Sequence, residues 1–366
     1  MEITGKGALP LQLIEALIDM GAIIGADKKH LSPASLDLTL SDDVYKIQGL
    51  LLPRVNEKIS DLLELMEAQK TDWDTPCKVG QMYLVRLKET LALPDTIYGY
   101  CNPKSSTGRL DVHIRVLADG VPRFDSITPK GFSGELWAAI YPQSFAIKLS
   151  TGIPLTQLRL FTGDTRFDEQ DLKSAMAEGL VFDRVSGAKL SYTDLVTNDQ
   201  DGTVVLSALV EDGICGYECI ATPDQIIDVT NIAGYTGSEF FKPLTIKRGA
   251  LRLKRDKFYI LSGAEAVRIP PNLASEMVPM DERSGDFRSH YAGFLDPGWG
   301  FGVEGEGKGR PFTLEVRPFE DLVVRAGQPI AKIRFERMAE VPTVHYDTKV
   351  SNYLKQDGPK LGKQFR

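Results

Sequence analysis

Long apolar runs are missing from this chain of 366 residues. A helix that crosses a membrane needs about 20 consecutive apolar residues, so the sequence predicts no membrane span. The N-terminus also lacks a basic region followed by an apolar stretch. We therefore expect no secretion signal and a cytoplasmic protein.

Cysteine and histidine are both scarce, with four of each. Of the cysteines, Cys77, Cys101, Cys215 and Cys219, only the last two are close in sequence. They have no second cysteine pair or histidine pair beside them, which does not match the ligand spacing of zinc sites. We expect free thiols in a reducing compartment and no zinc.

Three common signatures of nucleotide enzymes are also missing. The sequence has no His-x-Glu followed by Pro-Cys-x-x-Cys, which is the signature of zinc-dependent deaminases. It has neither a Walker A motif nor a Rossmann glycine pattern. A nucleotide hydrolase built on this chain would therefore work without zinc and without a covalent cofactor.

Positive charge is not in excess, because the formal net charge is −7. This argues against a general nucleic-acid partner. A site for one nucleotide remains compatible with it, since a few local lysines and arginines suffice. The composition is ordinary for a globular protein, and the length predicts two domains.

What the chain does contain is an internal repeat. PKSSTGR at 103–109 and ERSGDFR at 282–288 each place a basic residue, then a serine, then an arginine four residues after the serine. Upstream, YLVRLKETLALP at 83–94 matches YILSGAEAVRIP at 259–270 in the spacing of Tyr, Glu and Pro. A repeat of this length predicts two copies of one domain.

Short alternating apolar segments broken by Gly, Pro, Asn and Asp predict a mainly β fold, a barrel or a sandwich. The predicted strands lie at 81–87, 134–141, 144–149, 203–210, 247–253, 257–262, 312–317 and 330–335. Apolar spacing predicts helices at 10–24, 57–70 and 167–180. We assign the first repeat to 1–165, a connector to 166–200 and the second repeat to 201–366.

The Ser-x-x-x-Arg elements suit phosphate binding, because hydroxyls and the planar guanidinium donate hydrogen bonds to phosphate oxygens. The first repeat offers Lys104, Ser105, Ser106 and Arg109, and the second offers Arg283, Ser284 and Arg288. A solvated turn is the alternative for one such motif alone. Its recurrence in both repeats favours a functional role.

Two acidic residues of the second repeat have open interpretations. Asp296 lies in a turn sequence, FLDPGWG, where aspartate commonly caps the backbone. Glu315 alternates with apolar neighbours in FTLEVRP, so it is either an exposed strand residue paired with a nearby arginine or a general base held in a pocket. The polar tail at 345–366 has a composition that also allows disorder.

Several segments together resemble the dCTP deaminase/dUTPase superfamily, in its long tandem form. The resemblance rests on the order and spacing of PASLDLTL (33–40), PKSSTGR, ERSGDFR, HYAGFLDPGWG (290–300), FTLEVRP (312–318), RAGQPIAKIRF (325–335) and NYLKQDGPKLG (352–362). It implies two tandem jelly-roll β-barrel domains of the dUTPase type. It also implies hydrolytic deamination of dCTP to dUTP and ammonia, which supplies dUTP for thymidylate synthesis.

The resemblance implies roles for individual residues. Glu315 activates the water that attacks C4 of cytosine, while Ser284 and Arg288 order that water and bind phosphates. Asp296 holds the 3'-hydroxyl of the deoxyribose. Backbone groups near Tyr291 and Ala292 read the base. The C-terminal arm that closes over the triphosphate carries Tyr353, Lys355 and Gln356.

The resemblance also implies Mg²⁺ bound with the triphosphate, dTTP as a possible inhibitor, and a homo-oligomer with a trimer-like arrangement of barrels. In this superfamily, sites form between neighbouring barrels. We therefore expect Lys104, Ser105, Ser106 and Arg109 of the first repeat to contribute to the substrate site of the second.

The two repeats are not equal, because Ala139 aligns with Glu315. We expect the first repeat to lack a deaminase site of its own. Two alternatives remain open from the sequence. One is a dUTPase or a bifunctional enzyme that yields dUMP, and the other is a nucleotide-binding regulator without catalysis.

Overall fold

The computed structural model describes residues 3–195, 199–280, 284–285, 287–288, 293–348 and 356–366. Over these residues the fold is mainly β and barrel-like, with a few short helices. The predicted fold class is confirmed. In this part of the chain no helix is long and apolar enough to cross a membrane.

Most strands of the first repeat join one large sheet. The strands of the first repeat are β1 (Ile23–Ile24), β2 (Leu31–Ser32), β3 (Ser35–Ile47), β4 (Gln69–Thr71), β5 (Met82–Ala92), β6 (Tyr98–Pro103), β7 (Val112–Ala118), β8 (Ser126–Ile127), β9 (Ser133–Pro142), β10 (Ala146–Lys148) and β11 (Pro154–Phe161), of which only β10 lies outside this sheet. The main path runs β7-β9-β5-β3-β11-β6-β8. Neighbouring strands on this path are antiparallel.

The strands of the second repeat form smaller sheets, chiefly β13-β25-β20-β22 and β16-β14-β18-β23-β21. The predicted connector contains β12 (Val181–Asp183). The strands of the second repeat are β13 (Thr203–Ser207), β14 (Gly216–Cys219), β15 (Ile226–Asp228), β16 (Phe241–Leu244), β17 (Leu251–Leu253), β18 (Tyr259–Ser262), β19 (Glu265–Val267), β20 (Leu273–Val278), β21 (Phe287–Arg288), β22 (Phe294–Leu295), β23 (Thr313–Pro318), β24 (Leu322–Val324) and β25 (Pro329–Arg337). Each of the eight predicted strand segments contains a strand.

Two of the three predicted helices form. Helix α1 spans Leu11–Asp19, and α3 spans Glu169–Glu178. Helix α3 begins at a capping box between Asp168 and Asp171 and ends at Gly179, whose φ of 107° suits only glycine well. A third helix, α2 (Ser105–Gly108), is a single turn.

The predicted helix at 57–70 is wrong. A 3₁₀ turn at Ile59–Leu62 and further turns occupy this segment, and β4 begins at Gln69. The apolar residues Ile59, Leu62 and Met66 do share one buried side, as their spacing predicts. They pack against residues of the sheet from a series of turns. The chain reverses at Glu67, where φ is +49°, and this prevents a continuous helix.

The internal repeat recurs in the hydrogen bonds. The hydroxyl of Tyr83 accepts from the Lys78 N–H at 3.0 Å, and that of Tyr259 accepts from the Lys254 N–H at 2.8 Å. Glu89 accepts from both the backbone N–H and the hydroxyl of Thr39. Glu265 does the same with Ser207.

The repeats share packing as well as topology. One buried cluster combines most of the first repeat's core with second-repeat residues that include Phe240, Phe241, Phe258 and Ile260. A second cluster fills the remaining second repeat. Within the predicted connector, Val181–Asp183 pairs with β19 of the second repeat. The predicted boundaries at 165 and 201 stay a prediction.

Candidate active site

The phosphate-type motif of the first repeat surrounds the one-turn helix α2. Lys104 is its N-cap residue and Arg109 its C-cap residue. The turn is attached to the sheet because the Thr107 hydroxyl donates to the Leu155 carbonyl at 2.8 Å. Lys104 forms an ion pair with Asp37, which lies in the PASLDLTL segment. The motif therefore has a fixed position on the first repeat.

Glu315 lies in the middle of β23 and is only 2% exposed. The alternation pattern left open an exposed position, and the structure instead buries the side chain. Its carboxylate packs against Gly108 of the first repeat. A Cβ atom added at Gly108 would lie 3.0 Å from Glu315 Cδ and 3.1 and 3.2 Å from its two oxygens. The first-repeat motif and the candidate base are thus adjacent.

A cavity of about 240 Å³ opens at this junction. We call it the inter-repeat cavity. Its lining comes from both repeats and from the C-terminal tail: Ser32, Lys104, Ser105, Ser106, Arg109, Gln157, Met277, Phe294, Leu295, Asp296, Trp299, Phe312, Thr313, Tyr346, Gln356 and Lys363. Six of the predicted site residues therefore surround one space, namely Lys104, Ser105, Ser106, Arg109, Asp296 and Gln356.

Arg109 connects the first repeat to the tail. Its guanidinium donates to the Lys360 carbonyl at 2.9 Å and to Gln356 Oε1 at 3.0 Å. The amide nitrogen of Gln356 donates in turn to the Pro311 carbonyl, just before β23, at 3.0 Å. These contacts join the tail, the first-repeat motif and the start of strand β23 in one network.

Asp296 follows β22 directly and lines the inter-repeat cavity. Its Oδ1 lies 3.6 Å from a guanidinium nitrogen of Arg159. Nearby, the Gly293 N–H donates to Asn102 Oδ1 of the first repeat at 2.6 Å. By contrast, Asp125 of the first repeat accepts from the Val116 N–H and pairs with Arg115. It is therefore a local turn residue.

Lys363 was missed by the sequence interpretation. It lines the inter-repeat cavity with Lys104 and Arg109. Burial lowers the pKa of the Lys363 ammonium, and the positive charge of Lys104 adds to the shift. Asp37, the ion-pair partner of Lys104, opposes part of this shift, and two neighbouring lysines make this end of the cavity suitable for an anionic ligand. The KLGKQ sequence at 360–364 offered the only signal, a second basic residue after the arm motif.

The second-repeat motif ends in strand β21, which pairs with the end of β23. Strand β21 places Arg288 opposite Arg317 and Phe287 opposite Pro318. Ser284 is described, and it is not among the residues that line the inter-repeat cavity. The side chain of Arg288 lies outside the description. So do the predicted site residues Arg283, Tyr291, Ala292, Tyr353 and Lys355.

Ala139 occupies the position of Glu315 in the first repeat. Strands β5 and β9 pair Tyr83 with Ile140, and β18 and β23 pair Tyr259 with Val316. One residue earlier on the second strand of each pair are Ala139 and Glu315. The expected alignment therefore agrees with the strand register.

Within the described residues, no group of three or more His, Cys, Asp or Glu side chains is arranged to hold a metal ion. All four cysteines are free and buried. Burial raises the pKa of the Cys77 thiol to about 12.

Comparisons with known proteins agree over nearly the whole chain. The family profile of the 2'-deoxycytidine 5'-triphosphate deaminase N-terminal domain matches residues 5–164, and that of the C-terminal domain matches residues 183–365. The fold is similar to the crystal structure of 2'-deoxycytidine 5'-triphosphate deaminase from Agrobacterium tumefaciens. The TM-score is 0.82 at 33% identity, over 92% of this chain and 97% of that chain. The comparison with curated proteins found no match.

Proposed function

The chain belongs to the 2'-deoxycytidine 5'-triphosphate deaminase family, and on this premise we propose that the inter-repeat cavity is its active site. The chain is a hydrolase that converts dCTP to dUTP and ammonia. The observation that carries the proposal is the contact between the Glu315 carboxylate and Gly108, beside the cationic end of the first-repeat motif.

Glu315 acts as the general base. It takes a proton from water, and the resulting hydroxide forms a bond to C4 of cytosine. As the C4=N3 double bond opens, N3 takes up this proton. The proton of the new C4 hydroxyl then passes through Glu315 to the exocyclic nitrogen, the C4–N bond breaks, C4=O forms, and ammonia leaves. A buried carboxylate suits this transfer because the strand holds it in a fixed position for the water that it deprotonates.

The roles predicted for Ser284 and Arg288 fall, in this proposal, on the first-repeat counterparts. Ser105, Ser106 and Arg109 line the cavity. Glu315 is not among the lining residues and adjoins the motif through Gly108, the residue before Arg109. The hydroxyls order the attacking water and the phosphates, and Arg109 supplies positive charge. Ser284 and Arg288 stay a prediction of the resemblance.

Lys104, Lys363 and Arg109 bind the triphosphate. Three cationic side chains line one cavity, and together they supply positive charge for a triphosphate although Lys104 is also paired with Asp37. Mg²⁺ fits here as part of the substrate, bound to phosphate oxygens. The described carboxylate that lines the cavity, Asp296, lies beside Arg159 and accepts the 3'-hydroxyl of the sugar.

Product analysis tests the function. The purified protein is incubated with dCTP and Mg²⁺, and the nucleotides are separated. We expect dUTP and ammonia from the wild type. We expect a loss of about 10²–10⁴-fold in kcat for Glu315→Gln, and unchanged turnover for the control Glu304→Gln, an exposed residue.

Other products would favour the alternatives. Formation of dUMP and pyrophosphate would identify a bifunctional enzyme. Nucleotide binding without turnover in the wild type would identify a regulator, and would contradict the role of Glu315.

We extend the proposal to the assembly, the regulation and the location of the enzyme. One chain contains two barrels. A ring of three barrels therefore needs a barrel from another chain. Light scattering tests this homo-oligomer, and dTTP titration tests feedback inhibition. Four free cysteines support a reducing cytoplasm.

A further inference from the structure

Arg159, on β11 of the first repeat, is completely buried. A buried guanidinium is costly unless its N–H groups find acceptors. Its Nε donates to the Ala34 carbonyl at 3.3 Å, and one terminal nitrogen donates to the Ser275 carbonyl at 2.9 Å and to Glu336 at 3.0 Å. The other terminal nitrogen donates to the Leu295 carbonyl at 3.1 Å. The side chain is therefore fixed in one orientation.

Most of these acceptors belong to the second repeat, and one of them is the residue before Asp296. Leu295 precedes Asp296 in the chain, and the guanidinium stacks 4.3 Å from the ring centroid of Phe294. The same terminal nitrogen that binds the Leu295 carbonyl lies 3.6 Å from Asp296 Oδ1. Arg159 thus holds the backbone before Asp296 and faces its carboxylate.

The second repeat contains an arginine at the matching position. Arg159 pairs with Tyr100 across β6, and Arg334 pairs with Glu276 across β20. The side chain of Arg334 is 24% exposed, and it lies 4.0 Å from Asp201. The same residue type in the same strand position is therefore partly solvated in one repeat and enclosed in the other.

We infer that Arg159 is a positioning residue, which orients Asp296 for the 3'-hydroxyl of the substrate from the neighbouring repeat. This inference rests on the proposed role of Asp296. The first repeat thereby contributes to sugar recognition as well as to phosphate binding. Loss of Arg159 should weaken the preference of the enzyme for nucleotides that carry a 3'-hydroxyl. The reaction at C4 of cytosine should continue.

The test compares dCTP with 2',3'-dideoxyCTP, which lacks that hydroxyl. Arg159→Met is combined with Glu336→Gln, so that the buried Glu336 carboxylate is not left without its hydrogen-bonded partner. Arg159→Lys is measured as a second variant that keeps the charge. Arg334→Met is the matched control from the second repeat, and Asp296→Asn reports on Asp296 directly. Circular dichroism and thermal melting select the folded variants.

We expect the wild type to prefer dCTP in kcat/KM, and Asp296→Asn to lose that preference. Arg159→Met/Glu336→Gln should lose at least about tenfold of it, mainly through KM for dCTP, with KM for the dideoxynucleotide within about twofold of wild type. Arg159→Lys should lose part of the preference. Arg334→Met should keep it.

Three results would overturn the inference. If Asp296→Asn loses the preference while both folded Arg159 variants keep it, Asp296 binds the sugar without help from Arg159. If Asp296→Asn keeps the preference, the proposed role of Asp296 fails and the inference falls with it. If the Arg159 variants lose activity equally on both nucleotides, the role of Arg159 is structural.

Discussion

Glu315 and Ala139 have the same place in the strand register and opposite surroundings. Glu315 faces the inter-repeat junction at Gly108. Ala139 is covered by an apolar cluster that includes Leu62, Met66 and Trp137. A carboxylate at position 139 would be buried among apolar side chains, which costs several kcal/mol without a partner. The segment at 57–70 therefore fills the place where the first repeat would need an active site.

Gly108 offers a direct test of the base at the residue scale. In Gly108→Ala, the new Cβ would lie 3.0–3.2 Å from the Glu315 carboxyl group, so the carboxylate must shift. A displacement of this kind lowers the rate of a positioned proton transfer. We expect kcat for dCTP deamination to fall about tenfold or more, and the melting temperature to change little.

Gly49→Ala is the matched control, since a Cβ at Gly49 meets nothing within 4 Å. Steady-state kinetics and thermal melting on both variants check the prediction. A Gly108→Ala enzyme with wild-type kcat would show that the Glu315–Gly108 contact has no part in catalysis.

At the scale of secondary-structure elements, the strands were the most predictable part. Alternating apolar residues specify a half-buried strand wherever it packs, so all eight predicted segments contain one. The wrong helix at 57–70 has spacing that suits a helix and also suits a series of turns with one buried side. The reversal at Glu67, with its positive φ, left no signal in the sequence, because the residue there is not glycine.

Two glutamates at equivalent positions of the repeats predict how the stability of the fold depends on pH. Burial raises the pKa of both Glu89 and Glu265, and hydrogen bonds from Thr39 and Ser207 offset only part of the shift. A raised pKa in the folded state means that the folded form holds its proton longer than the unfolded chain. Each carboxyl therefore contributes stability below the ordinary value of 4.5, and this contribution is lost as pH rises through the folded-state pKa.

Glu89→Gln and Glu265→Gln remove this titration and keep a neutral acceptor. We expect the free energy of unfolding of each variant, relative to wild type, to increase as pH rises from about 4 to about 8. The increase is about 1.4 kcal/mol for each tenfold by which folding raises the proton affinity of the carboxyl. Urea unfolding across that range measures it, with Glu178→Gln, an exposed residue, as the control. A pH-independent difference between variant and wild type would contradict the raised pKa.

At the scale of the whole molecule, the sequence could identify motifs but not which of them meet. Composite use of the first-repeat motif was expected, and the inter-repeat cavity joins four of its residues to Asp296 and Gln356. The separation of Ser284 from that cavity depends on how the repeats face each other, which no local pattern encodes. Arg159 escaped notice for the same reason, since Arg334 shares its pattern.

The end of the C-terminal tail is packed against the second repeat. Residues 363–366 pair with the segment 233–237 through backbone hydrogen bonds. Phe365 packs against Phe240 and Phe241, with ring centroids 5.4 and 5.3 Å away. The tail thereby fixes Lys363 beside Lys104 at the inter-repeat cavity. Disorder, which the composition allowed for the tail, does not apply to residues 356–366.

Phe365→Ala should therefore affect triphosphate binding at a distance from the chemistry. Without the aromatic anchor, Lys363 and the Lys360 carbonyl that binds Arg109 lose their fixed position. A charge-assisted contact is worth about 1.5–3 kcal/mol, so KM for dCTP should rise roughly tenfold or more, with kcat nearly unchanged. Phe319→Ala, at an exposed phenylalanine, is the control.

Lys363→Ala should reproduce the effect with less loss of thermal stability, because it removes the charge and leaves the anchor. If Phe365→Ala lowers the melting temperature while KM stays at the wild-type value, the tail stabilises the fold without contributing to the phosphate site.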